Sequence, residues 1–133
     1  MMLLICRNLI YFAATAKPMN NFYYLSSCDT CKRIQKELEL KDTVEQIDIK
    51  KNPIDAATLD RLYAYTKSYG ELLNRRAQKL KGIDKESLTE EKIKSLLLEH
   101  YSFLKRPVLE YNNQLFVGNA KATIAAAKAA LHG

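Results

Sequence analysis

The chain is expected to form an α/β fold with a mixed sheet flanked by helices, and three observations predict it. A strand, helix, strand, helix pattern runs from Asn21 to about Ser68. Helical segments fill the middle, and two short strands with an alanine-rich helix close the chain. Alternating βα units favour parallel pairing, whereas a terminal hairpin must pair antiparallel, so the sheet is mixed.

The stretch from Met1 to Pro18 is apolar, and Ala14-Thr15-Ala16 has the small residues of a signal-peptide cleavage site. No lysine or arginine precedes the apolar run, Arg7 interrupts it, and it is too short to span a bilayer. Met19 stands directly before the first convincing strand. Residues 1–18 are therefore read as an N-terminal extension ahead of a single domain over residues 19–133, in a cytoplasmic protein with no membrane association.

Asn21 to Leu25 is rich in aromatics and reads as a short buried strand, with Ser26-Ser27 as loop. From Asp29 to about Lys41, Ile34 and Leu38 recur at helical spacing, with Lys32, Arg33, Lys36 and Glu37 on the other face. Val44 to Ile49 alternates as a strand does. Pro53 breaks the pattern, and Asp55 caps a helix reaching about Ser68. Leu72, Leu73 and Leu80 suggest a further helical stretch over Gly70 to Leu80. Thr89 caps another helix, in which Glu90 and Glu91 suit the N-terminal dipole and Leu96, Leu97 and Tyr101 form the apolar face. Pro107 to Tyr111 and Gln114 to Val117 are strands joined by Asn112-Asn113, a pair able to take positive φ in a tight hairpin. A helix from Asn119 to Leu131 follows, with Asn119 as its cap.

The 133 residues contain few glycines and prolines and no low-complexity run, which excludes a disordered or fibrous chain. A net charge of +6 favours anionic contacts, but the basic residues are scattered among acids. The densest run, Arg75, Arg76, Lys79 and Lys81, is either a solvated face or a binding patch. No direct nucleic-acid binding is expected, and the chain is read as a monomer.

Three cysteines are too few for a disulfide scaffold. Cys6 stands alone and reads as a small hydrophobe, but Cys28 and Cys31 form a CxxC at the junction of strand and helix. A cysteine at a helix N-terminus feels the positive end of the peptide dipoles and free N–H donors, both of which favour thiolate. Lys32 and Arg33 add positive potential within about a turn, lowering Cys28 below the free value of about 8.5. Cys31, one turn on, is placed to attack a mixed disulfide at Cys28. The alternatives are two buried small hydrophobes or half of a zinc site, though His100 and His132 lie far downstream and out of metal spacing. Strand-CxxC-helix beside a βαβ pattern is the context of a thioredoxin-like redox motif.

The segment Tyr23 to Ile34 (YYLSSCDTCKRI) is similar to the ArsC/Spx family of arsenate reductase-like proteins. So are Leu72-Leu73-Asn74-Arg75-Arg76, Lys105-Arg106-Pro107 before a strand, and Leu115-Phe116-Val117-Gly118, all in the family's order. The resemblance covers the chain from about Met19 onward. It implies a thioredoxin/glutaredoxin-like fold with a helical insertion between its βαβ and ββα halves. It also implies a thiol-dependent reductase with no bound cofactor, recycled by glutathione, glutaredoxin or thioredoxin. Cys28 would be the nucleophile and Cys31 the resolving thiol. Arg106 and cis-Pro107 would lie beside them, and a guanidinium there stabilises a thiolate and grips an anion. Arg76 resembles an arginine on the inserted helix of the Spx-like branch, whose members are redox-sensing regulators that bind RNA polymerase.

The departures bear on substrate. Arsenate reductases of this family carry a histidine four residues before the nucleophile and pocket arginines where this chain has Asn74 and Val117; Tyr24 stands at the histidine position. They also lack the second cysteine that Cys31 provides. The arsenate pocket is thus incomplete, and each missing donor to a buried oxyanion costs about 1–3 kcal/mol.

Overall fold

The computed structural model describes residues 11–12 and 19–133. Cys6 and the signal-like stretch lie outside the described residues, apart from Tyr11 and Phe12. In chain order the elements are β1 (Tyr11–Phe12), β2 (Asn21–Tyr24), α1 (Asp29–Leu38), β3 (Glu45–Asp48), α2 (Ala56–Thr66), α3 (Glu90–Glu99), β4 (Val108–Tyr111), β5 (Gln114–Val117) and α4 (Lys121–His132).

The sheet runs β1-β5-β4-β2-β3. β2 and β3 pair parallel, Tyr23 opposite Ile47, as the intervening helix requires. All other pairs are antiparallel, with Phe22 opposite Leu109 and Leu109 opposite Phe116. Asn112 and Asn113 take φ of 51° and 63° in the β4–β5 hairpin, the conformation a two-residue primed turn demands. The expected mixed α/β sheet is therefore present. β1 extends it by an antiparallel edge, an element not anticipated from the sequence.

Side chains alternate across the strands, so the sheet divides the interior in two. On one face Phe22, Leu109 and Phe116 pack against Ile34 and Leu38 of α1 and Ile124, Ala127 and Leu131 of α4. On the other, Tyr23 and Val108 pack against Leu59 and Leu62 of α2, Ile93, Leu96 and Leu97 of α3, and Leu72, Leu73 and Leu104. The caps read from the sequence form at two helices: Asp55 accepts from the Thr58 N–H and Thr89 from the Lys92 N–H. At α4 the cap position is Ala120, without a side-chain bond, and Asn119 is exposed beyond it.

The middle of the chain differs most from expectation. Residues 70–88 form three short 3₁₀ turns, Gly70–Leu72, Gln78–Leu80 and Lys85–Ser87, instead of a regular helix. The reason is that their backbone is spent elsewhere. Leu73 bridges Leu104, the Asn74 N–H donates to the Phe103 carbonyl at 2.7 Å, and the Lys105 N–H donates to Leu72 at 2.8 Å. A helix there would forfeit these bonds.

Candidate active site

The chain leaves β2 at Tyr24 and turns through Leu25–Ser27, where the Cys28 N–H closes on the Leu25 carbonyl at 3.0 Å. Asp48, at the end of the neighbouring β3, holds this turn. It accepts the Ser26 hydroxyl at 2.6 Å and the Lys50 N–H at 3.1 Å. The Ser26 hydroxyl is the foremost reason that the Asp48 carboxyl lies below the usual carboxylate range.

Cys28 is the N-cap of α1, with φ −100° and ψ 116°, and its Sγ accepts the Cys31 N–H at 3.5 Å. Serine or aspartate oxygen usually fills this role. Here sulfur does, and the thiolate form gains the donors and the dipole of the helix end. Cys28 is half-buried and Cys31 fully buried, both as free thiols.

Arg106 and Pro107 precede β4 through a cis peptide bond. The Arg106 guanidinium is fixed through one nitrogen, Nη1, which donates to the Ser102 and Leu104 carbonyls at 3.3 Å each. Its charge acts on both cysteines. Burial would raise the Cys28 thiol, but the Cys31 N–H and thiol, Arg106 and the Thr30 N–H outweigh it, leaving Cys28 below the ordinary thiol value. Burial above all, then the hydrogen bond and charge of Cys28, push Cys31 up to about 11 against the opposing pull of the Leu25 backbone and Arg106. One thiol is thus readied to ionise and its neighbour to stay protonated.

The structure brings Cys28, Cys31, Arg106 and cis-Pro107 to one end of the sheet, but not Arg76. That side chain is exposed on a turn, not on a helix, and makes no hydrogen bond or ion pair to either cysteine. Asn74 directs its amide to the Ser102 carbonyl at 3.3 Å, Tyr24 stacks on Phe22 with ring centroids 5.8 Å apart, and Val117 is half-buried on β5. None of the three supplies a cation. Among the described residues no third metal-ligating side chain joins the cysteine pair. Sequence reasoning missed Ser26 and Asp48. The only trace is a serine pair before the cysteine and an acid ending the second strand, and nothing local says that they meet.

Solved structures of similar fold include a YffB protein, 29% identical over 85% of this chain and 99% of the other, with a TM-score of 0.67. An arsenate reductase-related protein from Brucella melitensis is also 29% identical, over 85% of this chain and 97% of its own, with a TM-score of 0.64. An ArsC family-related protein from Bacteroides fragilis shares the fold at 19% identity, covering 82% of this chain and 98% of the other, with a TM-score of 0.67. No curated protein matches the sequence significantly. With the thioredoxin-like sheet and the CxxC at its first helix in place, and the model of the ArsC family matching residues 23–127, the chain belongs to the ArsC family.

Proposed function

We propose that the protein is a thiol-disulfide oxidoreductase of the arsenate reductase-like type, working in the cytoplasm as a monomer with Cys28 as nucleophile and Cys31 as resolving thiol. The observation that carries this reading is the split between the two thiols: Cys28 lowered at a helix N-terminus beside Arg106, Cys31 buried and raised to about 11. The Cys28 thiolate attacks one sulfur of a substrate disulfide, forming a mixed disulfide and expelling the other sulfur as thiolate. Once Cys28 is bonded, its negative charge no longer opposes ionisation of Cys31, and the Arg106 charge favours it. Cys31 then loses its proton and attacks the Cys28 sulfur. The substrate thiolate leaves, and the dithiol has given two electrons in becoming the Cys28–Cys31 disulfide. A thiol reductant, glutathione, glutaredoxin or thioredoxin, restores the dithiol.

Arg106 and cis-Pro107 are proposed to hold the substrate. Arg76 serves at most an outer contact, since it is exposed. Arsenate is a poor fit, because the side chains of Tyr24, Asn74 and Val117 put no cation at this end of the sheet. The test is reduction of a mixed-disulfide substrate and of arsenate, each with glutathione, glutaredoxin and thioredoxin as donor. Turnover of the disulfide by the wild type is expected, with none from Cys28→Ser and a trapped mixed disulfide in Cys31→Ser. Equal turnover by Cys28→Ser would sink the reading.

A second reading, an Spx-like regulator that binds RNA polymerase, is favoured by one observation. Arg75, Arg76, Lys79 and Lys81 are all exposed along one segment. Its test is redox-dependent recovery of polymerase subunits by the immobilised protein, and no recovery in either redox state counts against it.

A further inference from the structure

The charge of Arg106 acts on both cysteines, yet among the described residues it makes no ion pair, and its position depends on the two carbonyls that receive Nη1. Both carbonyls belong to one short segment. The 3₁₀ turn Tyr101–Phe103 begins immediately after His100, whose Nδ1 accepts the Ser102 N–H at 3.1 Å and lies 2.8 Å from the Ser102 hydroxyl. Accepting an amide fixes the proton on Nε2 and makes the imidazole the N-cap of the turn. The ring stacks on Tyr101 with centroids 4.3 Å apart and meets Phe103 edge-on at 6.5 Å. His100 also lines a groove of about 190 Å³ with Ile49 and Leu104. The imidazole therefore has little freedom, and neither has the Ser102 peptide bonded to it. From the other side the Asn74 amide bonds the Ser102 carbonyl, and the Asn74 N–H bonds Phe103.

We infer that His100 is a positioning residue for the cysteine site: as the cap of the Tyr101–Phe103 turn, it aims the Ser102 and Leu104 carbonyls that fix the Arg106 guanidinium beside Cys28. It touches no reacting atom and acts through Arg106. Without the cap, the Ser102 N–H loses its acceptor, the turn loosens, and the guanidinium is no longer held at one distance from the sulfur. Coulomb attraction falls with distance and with solvent between the charges, so Cys28 ionises less readily. The inference rests on the reading of Cys28 as a stabilised thiolate.

The experiment is the rate of Cys28 alkylation by iodoacetamide against pH, followed by mass spectrometry on the reduced full chain. The series is wild type, His100→Ala, His100→Asn, Arg106→Ala and the double variant His100→Ala/Arg106→Ala. His100→Ala is expected to move the midpoint up by about half to one pH unit, a roughly three- to tenfold slower reaction below the midpoint. His100→Asn, which keeps a side-chain acceptor at the cap, is expected to stay near wild type. In the Arg106→Ala background the His100 change is expected to add nothing, since the group it positions is gone. An unchanged midpoint in His100→Ala, or the same shift with and without Arg106, would overturn the inference. A wild-type midpoint at the ordinary thiol value would instead overturn the proposed function. If His100→Ala fails to fold, His100→Gln, with its amide one methylene further out, is read in its place: a midpoint above that of His100→Asn supports positioning, and one equal to it overturns it.

Discussion

The two ends of the sheet each set an arginine beside an anionic group, and they do opposite things with it. At one end the charge of Arg106 acts on the Cys28 sulfur. At the other, Arg61 of α2 reaches Glu110 of β4, Nε to Oε2 at 3.0 Å and Nη2 to Oε1 at 3.2 Å. Glu110 is completely buried and also accepts from Tyr65 at 3.0 Å and Asn21 at 3.1 Å. The Tyr23 hydroxyl closes the cluster by receiving Arg61 Nη2 at 2.8 Å. Burial first, then the nearby carboxylate, push the Tyr23 phenol up to about 12 and Tyr65 higher still, so both stay protonated as donors. A carboxylate whose lone pairs are all taken has nothing left to offer a substrate, and the cluster ties α2 and β4 together. Cys28, half-exposed with few donors, keeps a lone pair free for attack. The difference between stability and reactivity lies in how completely the anion is satisfied.

Breaking the exposed end should abolish chemistry and leave the fold intact. Cys28→Ser is expected to lose all disulfide exchange, read by turnover. Its unfolding free energy should stay within about 0.5 kcal/mol of wild type, because serine is a good N-cap. Breaking the buried end should do the reverse. Arg61→Ala strands a fully buried carboxylate and is expected to cost about 3–5 kcal/mol in urea denaturation, with Cys28 alkylation unchanged in the protein that remains folded. Tyr65→Phe removes one donor to that carboxylate and should cost about 1.5–3 kcal/mol by the same measurement.

The smallest effect belongs to Arg106→Ala, which sharpens the comparison by removing the cation at the reactive end. Arg106 lowers the Cys28 thiol, so the variant's alkylation midpoint should move up by about one unit, a tenfold slower reaction below it, with convergence at high pH. The sign carries over to stability. A thiol lowered in the folded state contributes stability present above its unfolded value and lost as pH falls through the folded one. Arg106→Ala should shrink that contribution, visible as a weaker rise of stability with pH in reduced protein over the range just below the ordinary thiol value.

Much of this was legible in the sequence. Ile34 and Leu38 marked the buried side of α1, Asp55 and Thr89 marked caps, and Asn112-Asn113 marked the hairpin, because each signal acts over a few residues through backbone geometry. The cysteine pair was legible for the same reason: spacing and helix onset alone place one sulfur at the cap and the other a turn below. Leu72, Leu73 and Leu80 misled. Their apolarity served burial, while the backbone between them was bonded to residues 103–105. Glu110 read as one more polar residue in a strand, since its partner Arg61 lies 49 positions away.

The sequence by itself determined the strand-CxxC-helix unit, the closing hairpin and helix, and the sulfur that caps α1, all set by local periodicity and capping. Only the tertiary structure decided that Asp48 would hold the cysteine loop, that Arg106 would be fixed by carbonyls on a turn capped by His100, and that Arg61 would be spent on Glu110. Those choices depend on which distant groups share a low-dielectric interior, where an unpaired charge is too costly to leave and the chain bends until a partner is found.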